Sequence, residues 1–221
     1  INQNFKQTLN NALNNYKQYI IAERGPSLNK IPNLTYQILA SQADIVLDLH
    51  TGPYATDYIY SPEFLKQKTK DLNFPFHIII PNKFSGAMDE ACFSPWHSLQ
   101  VELQAQGLNY QTEFEAYTVE LGSEELISQS RAKKQALRIA KYLVKRGVIK
   151  ELTQEVILPD QQIWCLLKDY LSLYAPYGGL FEYTQAPGAL VRKGDILGCY
   201  YFLNELESDK STEIIRADQD Y

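Results

Sequence analysis

Two stretches of this chain end in residues that can do chemistry together. Ala43-Asp44-Ile45-Val46-Leu47-Asp48-Leu49-His50 is mostly apolar and runs into Thr51-Gly52-Pro53. Ala116 to Leu121, containing Tyr117-Thr118-Val119-Glu120, runs into Gly122. A short apolar run bounded by turn residues reads as a fully buried parallel strand. Side chains alternate along a strand, so Asp48 and His50 share one side, as do Thr118 and Glu120. Loops leaving the carboxyl ends of parallel strands form the ligand crevice of an open sheet. A histidine and a glutamate emerging there suit a metal ligand and a general base. Asp48 suits orienting the imidazole of His50 or capping a neighbouring loop.

Plainer readings stand beside these. A lone histidine at a strand end is commonly structural or solvent-exposed. A carboxylate closing an apolar strand is costly to bury without a partner, and that partner can equally be a salt bridge. His77, inside Phe74-Pro75-Phe76-His77-Ile78-Ile79-Ile80, reads as a core or rim histidine, and His97 beside Trp96 as helix packing. Lys83, Asp89 and Glu90 follow a strand and either line the cleft or serve as a helix cap (Asp89) and surface charge.

The elements that must position these residues follow from periodicity. Phe5, Leu9, Leu13, Tyr16 and Ile20 recur at helical spacing, predicting an amphipathic helix over 2–21 closed by Gly25-Pro26. A second helix is expected around 34–42, a strand over 76–80, and a helix over about 90–106. Ser123-Glu124-Glu125 leads into a long helix to about Lys145, whose Arg131, Lys133, Lys134, Arg138 and Lys141 read as a solvated face. Alternating strands and helices predict an α/β domain over 1–150, a mainly parallel or mixed sheet flanked by helices. From 151 to 221 helical period is absent, and β-rich runs at Ile163–Leu167, Gly179–Tyr183 and Ile196–Phe202 predict a small antiparallel β-domain.

Composition narrows the function classes. The 221 residues are 45% hydrophobic and 21% charged, ordinary for a globular chain. A net charge of -5 gives no basic footprint for nucleic acid. No apolar run approaches a membrane span. Cys92, Cys165 and Cys199 show no CxxC spacing, so a reducing, cytoplasmic setting is expected rather than a disulfide framework.

The segments 43–52 and 117–125 (Tyr-Thr-Val-Glu-Leu-Gly-Ser-Glu-Glu) resemble two signature segments of the succinylglutamate desuccinylase/aspartoacylase family, part of the wider zinc carboxypeptidase-like group. Ser85-Gly86-Ala87-Met88-Asp89-Glu90-Ala91-Cys92-Phe93 is similar to a loop of some bacterial members. The resemblance spans roughly 30 to 150. Pro176-Tyr177-Gly178-Gly179-Leu180 and Ala186-Pro187-Gly188 with Val191-Arg192-Lys193-Gly194-Asp195 resemble the family's C-terminal β-domain.

The resemblance implies a Zn2+-dependent hydrolase that cleaves the amide of an N-acyl amino acid or similar small amide. His50 matches a zinc ligand, and Glu120 the glutamate that takes the proton from metal-bound water and passes it to the leaving amine. The family's other two ligands form a His-x-x-Glu pair near the N-terminus. No such spacing occurs here: His77 begins His-Ile-Ile-Ile and His97 begins His-Ser-Leu-Gln. The family's upstream asparagine-arginine segment is also not found before His50. The expectation is a chain lacking its first strands. Carboxypeptidase-type cleavage of a short peptide and a metal-free binding protein on the same scaffold are the alternatives. Arg131 and Arg192 are poorly placed to hold a substrate carboxylate. The run Val191–Leu197 also resembles a hairpin of biotinyl and lipoyl carriers, but the modified lysine tip is missing. The β-domain is instead expected to cover the cleft or to mediate association into a homo-oligomer.

Overall fold

The apolar runs assemble into one five-stranded sheet with helices on both faces. The structure, a computed structural model, describes residues 1–23, 30–83, 85–154, 159, 161–175, 177–204 and 211–220. The expected stop at Gly25-Pro26 and the start of the motif at Pro176 lie outside the described residues. In chain order come helices α1 (Asn2–Glu23) and α2 (Ile31–Ala40), then strands β1 (Ile45–Gly52) and β2 (Asp57–Pro62). A short helix α3 (Lys66–Thr69) leads to β3 (Phe76–Ile80), α4 (Met88–Ala105), β4 (Glu115–Ser123) and α5 (Gln129–Lys145). Strand β5 (Ile163–Leu166) follows. β6 (Leu180–Tyr183), β7 (Ile196–Tyr201) and β8 (Thr212–Arg216) close the chain.

The larger sheet has the order β1-β4-β2-β3-β5. β1 runs parallel to β4, β4 antiparallel to β2, and β2, β3 and β5 parallel to one another. The α/β architecture with a mixed sheet and a small antiparallel one is therefore the expected fold, with four corrections. β2 was not anticipated from the pattern; its aromatic residues alternate with Ile59 and Ser61, so both faces are used. β1 is an edge strand rather than a fully buried one, and Leu49 is 55% exposed. Ile163–Leu166, expected in the C-terminal β-domain, pairs with β3 in the larger sheet, while β6, β7 and β8 alone form the antiparallel sheet. Finally, α5 begins at Gln129, capped by the Ser128 hydroxyl, which accepts from Arg131 N at 3.3 Å.

Two apolar layers hold the sheet. On one face Phe93 and Trp96 of α4 pack on Ile78, Ile80 and Ala116. Phe5 of α1 meets the Trp96 ring edge-on at 4.9 Å, which is why the stripe on α1 turns inward. On the other face Tyr142 of α5 packs with Ile59, Phe74, Tyr117 and Val119. Gln135 and Arg138 are buried on the same side of α5, so Arg138 does not belong to a solvated face. Its guanidinium lies 5.7 Å from the Phe74 ring and 3.6 Å from Asp57. Lys133, Lys134 and Lys141 are exposed as expected.

The base of the sheet carries a buried ionic network. Glu115, at the start of β4, accepts from Arg146 Nε at 2.6 Å and Nη2 at 3.0 Å, and from the hydroxyls of Tyr117 (2.7 Å) and Tyr142 (2.9 Å). Arg146 also donates to Asp71 at 2.8 Å, and Lys145 reaches Asp71 at 2.6 Å. Burial pushes the Asp71 carboxyl up, but Lys145 and Arg146 outweigh it and hold that carboxyl below its ordinary value.

In the small sheet Gly198 permits close packing. A side chain there would clash with Phe181 Cζ and Glu182 O. Phe181 then packs against Tyr200 with the rings tilted, centroids 4.9 Å apart.

Candidate functional site

The site lies where β1 and β4 end and the oppositely directed β2 begins. Parallel register sets Asp48 opposite Thr118 and His50 opposite Glu120. Antiparallel register sets Tyr58 against Glu120 and Tyr60 against Thr118. Residues paired in register point to the same side of a sheet, so Asp48, His50, Thr118, Glu120, Tyr58 and Tyr60 share one face. The loop between β1 and β2 is pinned to the end of β4: Ala55 N donates to Ser123 Oγ at 3.0 Å, and that hydroxyl donates back to Ala55 O at 3.2 Å. Gly122 turns the strand end with φ 86°, and a Cβ there would lie 2.5 Å from Arg131 Nη1.

His50 Nε2 stands 3.1 Å from Asp48 Oδ1, with the imidazole half exposed. Glu120 is 9% exposed. Burial raises its carboxyl above the ordinary value, His50 pulls it down and Asp48 pushes it up again. A carboxyl lifted by burial toward neutrality has the electrostatic character of a proton-transferring group. Tyr58 and Tyr60 are raised as well, chiefly by burial, with Glu120 contributing to both.

The structure adds a residue beneath this face. Asp89, in the first turn of α4, is 1% exposed, and its Oδ2 has no hydrogen-bond partner. It is not the helix cap. That work falls to Glu90, whose Oε2 accepts from the backbone N–H groups of Ser85, Gly86 and Ala87 at 2.7, 2.9 and 3.0 Å. Burial pushes the Asp89 carboxyl up to about 6, against hydrogen bonds from the Glu90 backbone and the Thr118 side chain. The Cys92 thiol on the same helix is pushed up to about 12 by burial and by Asp89 and Asp48, leaving it neutral.

Of the expected residues, His50, Asp48 and Glu120 are therefore together on one face. His77 stacks on Trp164 at 4.0 Å and bonds Phe74 O through Nε2 at 3.0 Å, a core position. His97 packs on Phe64 at 4.9 Å. Tyr58 and Tyr60 escaped the sequence reading, though the alternation Tyr58-Ile59-Tyr60 carried their signal; nothing local marks Asp89 as buried. Among the described residues no three His, Cys, Asp or Glu side chains are arranged to hold a metal ion. His50 fits one position of a site that ordinarily takes three protein ligands. No described helix is long and apolar enough to cross a membrane.

No family profile matches the chain, and no curated protein does. Solved structures do. A protein of Shewanella frigidimarina described as a succinylglutamate desuccinylase/aspartoacylase superposes over all of this chain and 59% of its own, with TM-score 0.86 and 33% identity. A succinylglutamate desuccinylase/aspartoacylase family protein of Shewanella amazonensis matches 99% of this chain and 59% of its own, with TM-score 0.87 and 32% identity. The ectoine utilization protein EutE (DoeB) of Ruegeria pomeroyi, in its apo form, shares the fold at 20% identity and TM-score 0.60 over 89% of this chain. The 221 residues thus span about three fifths of the length of these relatives.

Proposed function

Because the chain belongs to the succinylglutamate desuccinylase/aspartoacylase family, we propose that the protein hydrolyses the amide bond of an N-acyl amino acid or similar small amide. The observation that carries this reading is the register of β1 and β4, which sets His50, held by Asp48, directly opposite the buried Glu120.

In this reading Glu120 is the general base. Burial raises its proton affinity, which favours its taking a proton from the attacking water and returning it to the departing amine. Asp48 holds one nitrogen of His50 and leaves the other to a metal, the arrangement that orients ligating histidines. A zinc ion held through His50 would acidify its bound water and polarise the scissile carbonyl. The remaining ligands would come from residues other than those described.

The test is made on the whole gene product, including any sequence adjoining these residues. Bound zinc and release of free amine from N-acyl amino acids are expected. Glu120→Gln is expected to lower turnover by about two to four orders of magnitude with zinc content unchanged. Release confined to C-terminal residues of peptides would assign carboxypeptidase-type cleavage instead. A metal-free protein that binds these amides without turnover would be a binding module on the same scaffold.

A further inference from the structure

A cavity opens beside Tyr58, on the side of the sheet that β3 and β5 occupy. It measures about 390 Å³, and its walls include Tyr54, Thr56, Tyr58, Phe76, Cys165 and Tyr170. That volume falls in the range of small-molecule pockets, on the order of 300–1,000 Å³. Tyr58 is shared: one side of it faces this space and its strand position is paired with Glu120. The charge of Glu120 acts on the Tyr58 hydroxyl, so a substrate with its scissile carbonyl at Glu120 would have this cavity next to it, one substituent reaching past Tyr58.

The lining decides what that substituent is. Among the described residues none that lines the cavity is Lys, Arg, Asp or Glu. His77 also borders it, but its ring is buried against Trp164 with Nε2 on a backbone oxygen, so it brings no cation. The formal charges that act on its walls are carboxylates, Glu120 on Tyr58 and Asp169 on Cys165, and both repel a further one. A carboxylate entering such a space would be desolvated with nothing to pair it. Aromatic rings and a thiol instead offer dispersion contacts, and the tyrosine and Thr56 hydroxyls offer neutral hydrogen bonds.

The loop between β6 and β7 forms part of the wall. Pro187 lines the cavity, and Gly188, at φ 87°, comes so close that a Cβ would meet Thr56 Oγ1 at 2.9 Å and Phe76 Cε2 at 3.1 Å. Tyr183 of β6 lies against Tyr54, ring centroids 5.3 Å apart. The β6–β7 loop thus contributes to the wall directly, and β6 supports it through Tyr54.

We propose that this cavity is the specificity pocket of the protein and that it takes an uncharged, largely apolar group, aromatic or aliphatic, in place of a dicarboxylic acyl chain or an acidic side chain. The inference rests on the hydrolase reading for the position of the scissile bond. The group belongs either to the acid or to the amine side of the amide, and matched substrates tell them apart. N-benzoyl and N-hexanoyl amino acids are compared with the N-succinyl derivative of the same amino acid, and N-acetylphenylalanine with N-acetylaspartate. In one of the two comparisons kcat/KM is expected to favour the uncharged member by about 100-fold or more. Equal or preferred turnover of the charged member in both comparisons would overturn the pocket and leave the hydrolase reading standing.

Binding supplies an arm that needs no turnover. Benzamide and succinamate are offered to the whole protein and followed by ligand-observed NMR. Benzamide alone is expected to bind, to be excluded by Cys165→Phe, which fills the cavity, and to bind more weakly to Tyr170→Ala. Tyr170 is 55% exposed, so that variant is expected to fold even if the strand substitution does not. This result without any hydrolysis would support the pocket and sink the hydrolase reading. Absence of benzamide binding, or binding indifferent to both substitutions, would overturn the pocket.

Discussion

Removing the guanidinium of Arg146 while keeping its stem, as Arg146→Met does, tests what anchors the strand that carries Glu120. The side chain of Glu115 is 3% exposed, and that of Arg146 17%. Their contact is bidentate, at 2.6 and 3.0 Å. The methionine retains much of the apolar contact, so the loss is dominated by a carboxylate stranded in the interior. Breaking a buried pair from one side costs about 3–5 kcal/mol. The Tyr117 and Tyr142 hydroxyls still bond Glu115, Lys68 Nζ still lies 3.8 Å from it, and Lys145 still holds Asp71, which places the expected loss near 3 kcal/mol at the lower end of that range. For a chain of this size each kcal/mol moves the midpoint by roughly 2–4 °C, so Tm should fall by about 6–12 °C. Urea unfolding followed by circular dichroism at pH 7 measures it. Glu115→Gln combined with Arg146→Met should cost at least about 1 kcal/mol less than the sum of the single changes, since the stranded charge is gone. A single-variant loss below about 1 kcal/mol, or strict additivity, would refute the network as the anchor of β4.

Asp89 and His77 should give opposite pH signatures. Asp89 is raised from 3.8 to about 6, so the folded chain holds its proton to higher pH than the unfolded chain and loses stability as pH rises from about 4 to 6. Asp89→Asn should therefore stabilise at pH 7–8 by up to about 3 kcal/mol and give no advantage near pH 4; an equal effect at both pH values in urea titrations would contradict this. His77 is lowered to about 4 by burial, partly offset by its bond to Phe74 O. It should cost stability as pH falls from 6.5 toward 4, and its ring proton resonances should show a neutral imidazole at pH 5. Titration near 6.5 would place the ring in water rather than against Trp164.

How much of this was legible in the sequence can be traced residue by residue. Alternation along β1 and β4 put Asp48 with His50 and Thr118 with Glu120 on common sides, because a strand's period of two is a local property. The helical stripe of α1 was readable for the same reason, as was the β character of the tail. Which strands pair is a non-local matter. Nothing in Asp57–Pro62 says that it will enter the sheet antiparallel between β4 and β3, and only that insertion puts Tyr58 beside Glu120. Likewise Ile163–Leu166 looks like its C-terminal neighbours, but the free edge of β3 claims it. Arg138 read as part of a solvated face and Asp89 as a helix cap or cleft residue, yet helix packing over Phe74 and over Thr118 buries both. The sequence by itself thus determined which residue types stand at the strand ends and which way they face. The tertiary structure alone decided their partners, their burial and the uncharged cavity beside them, because each depends on contacts between segments far apart in the chain.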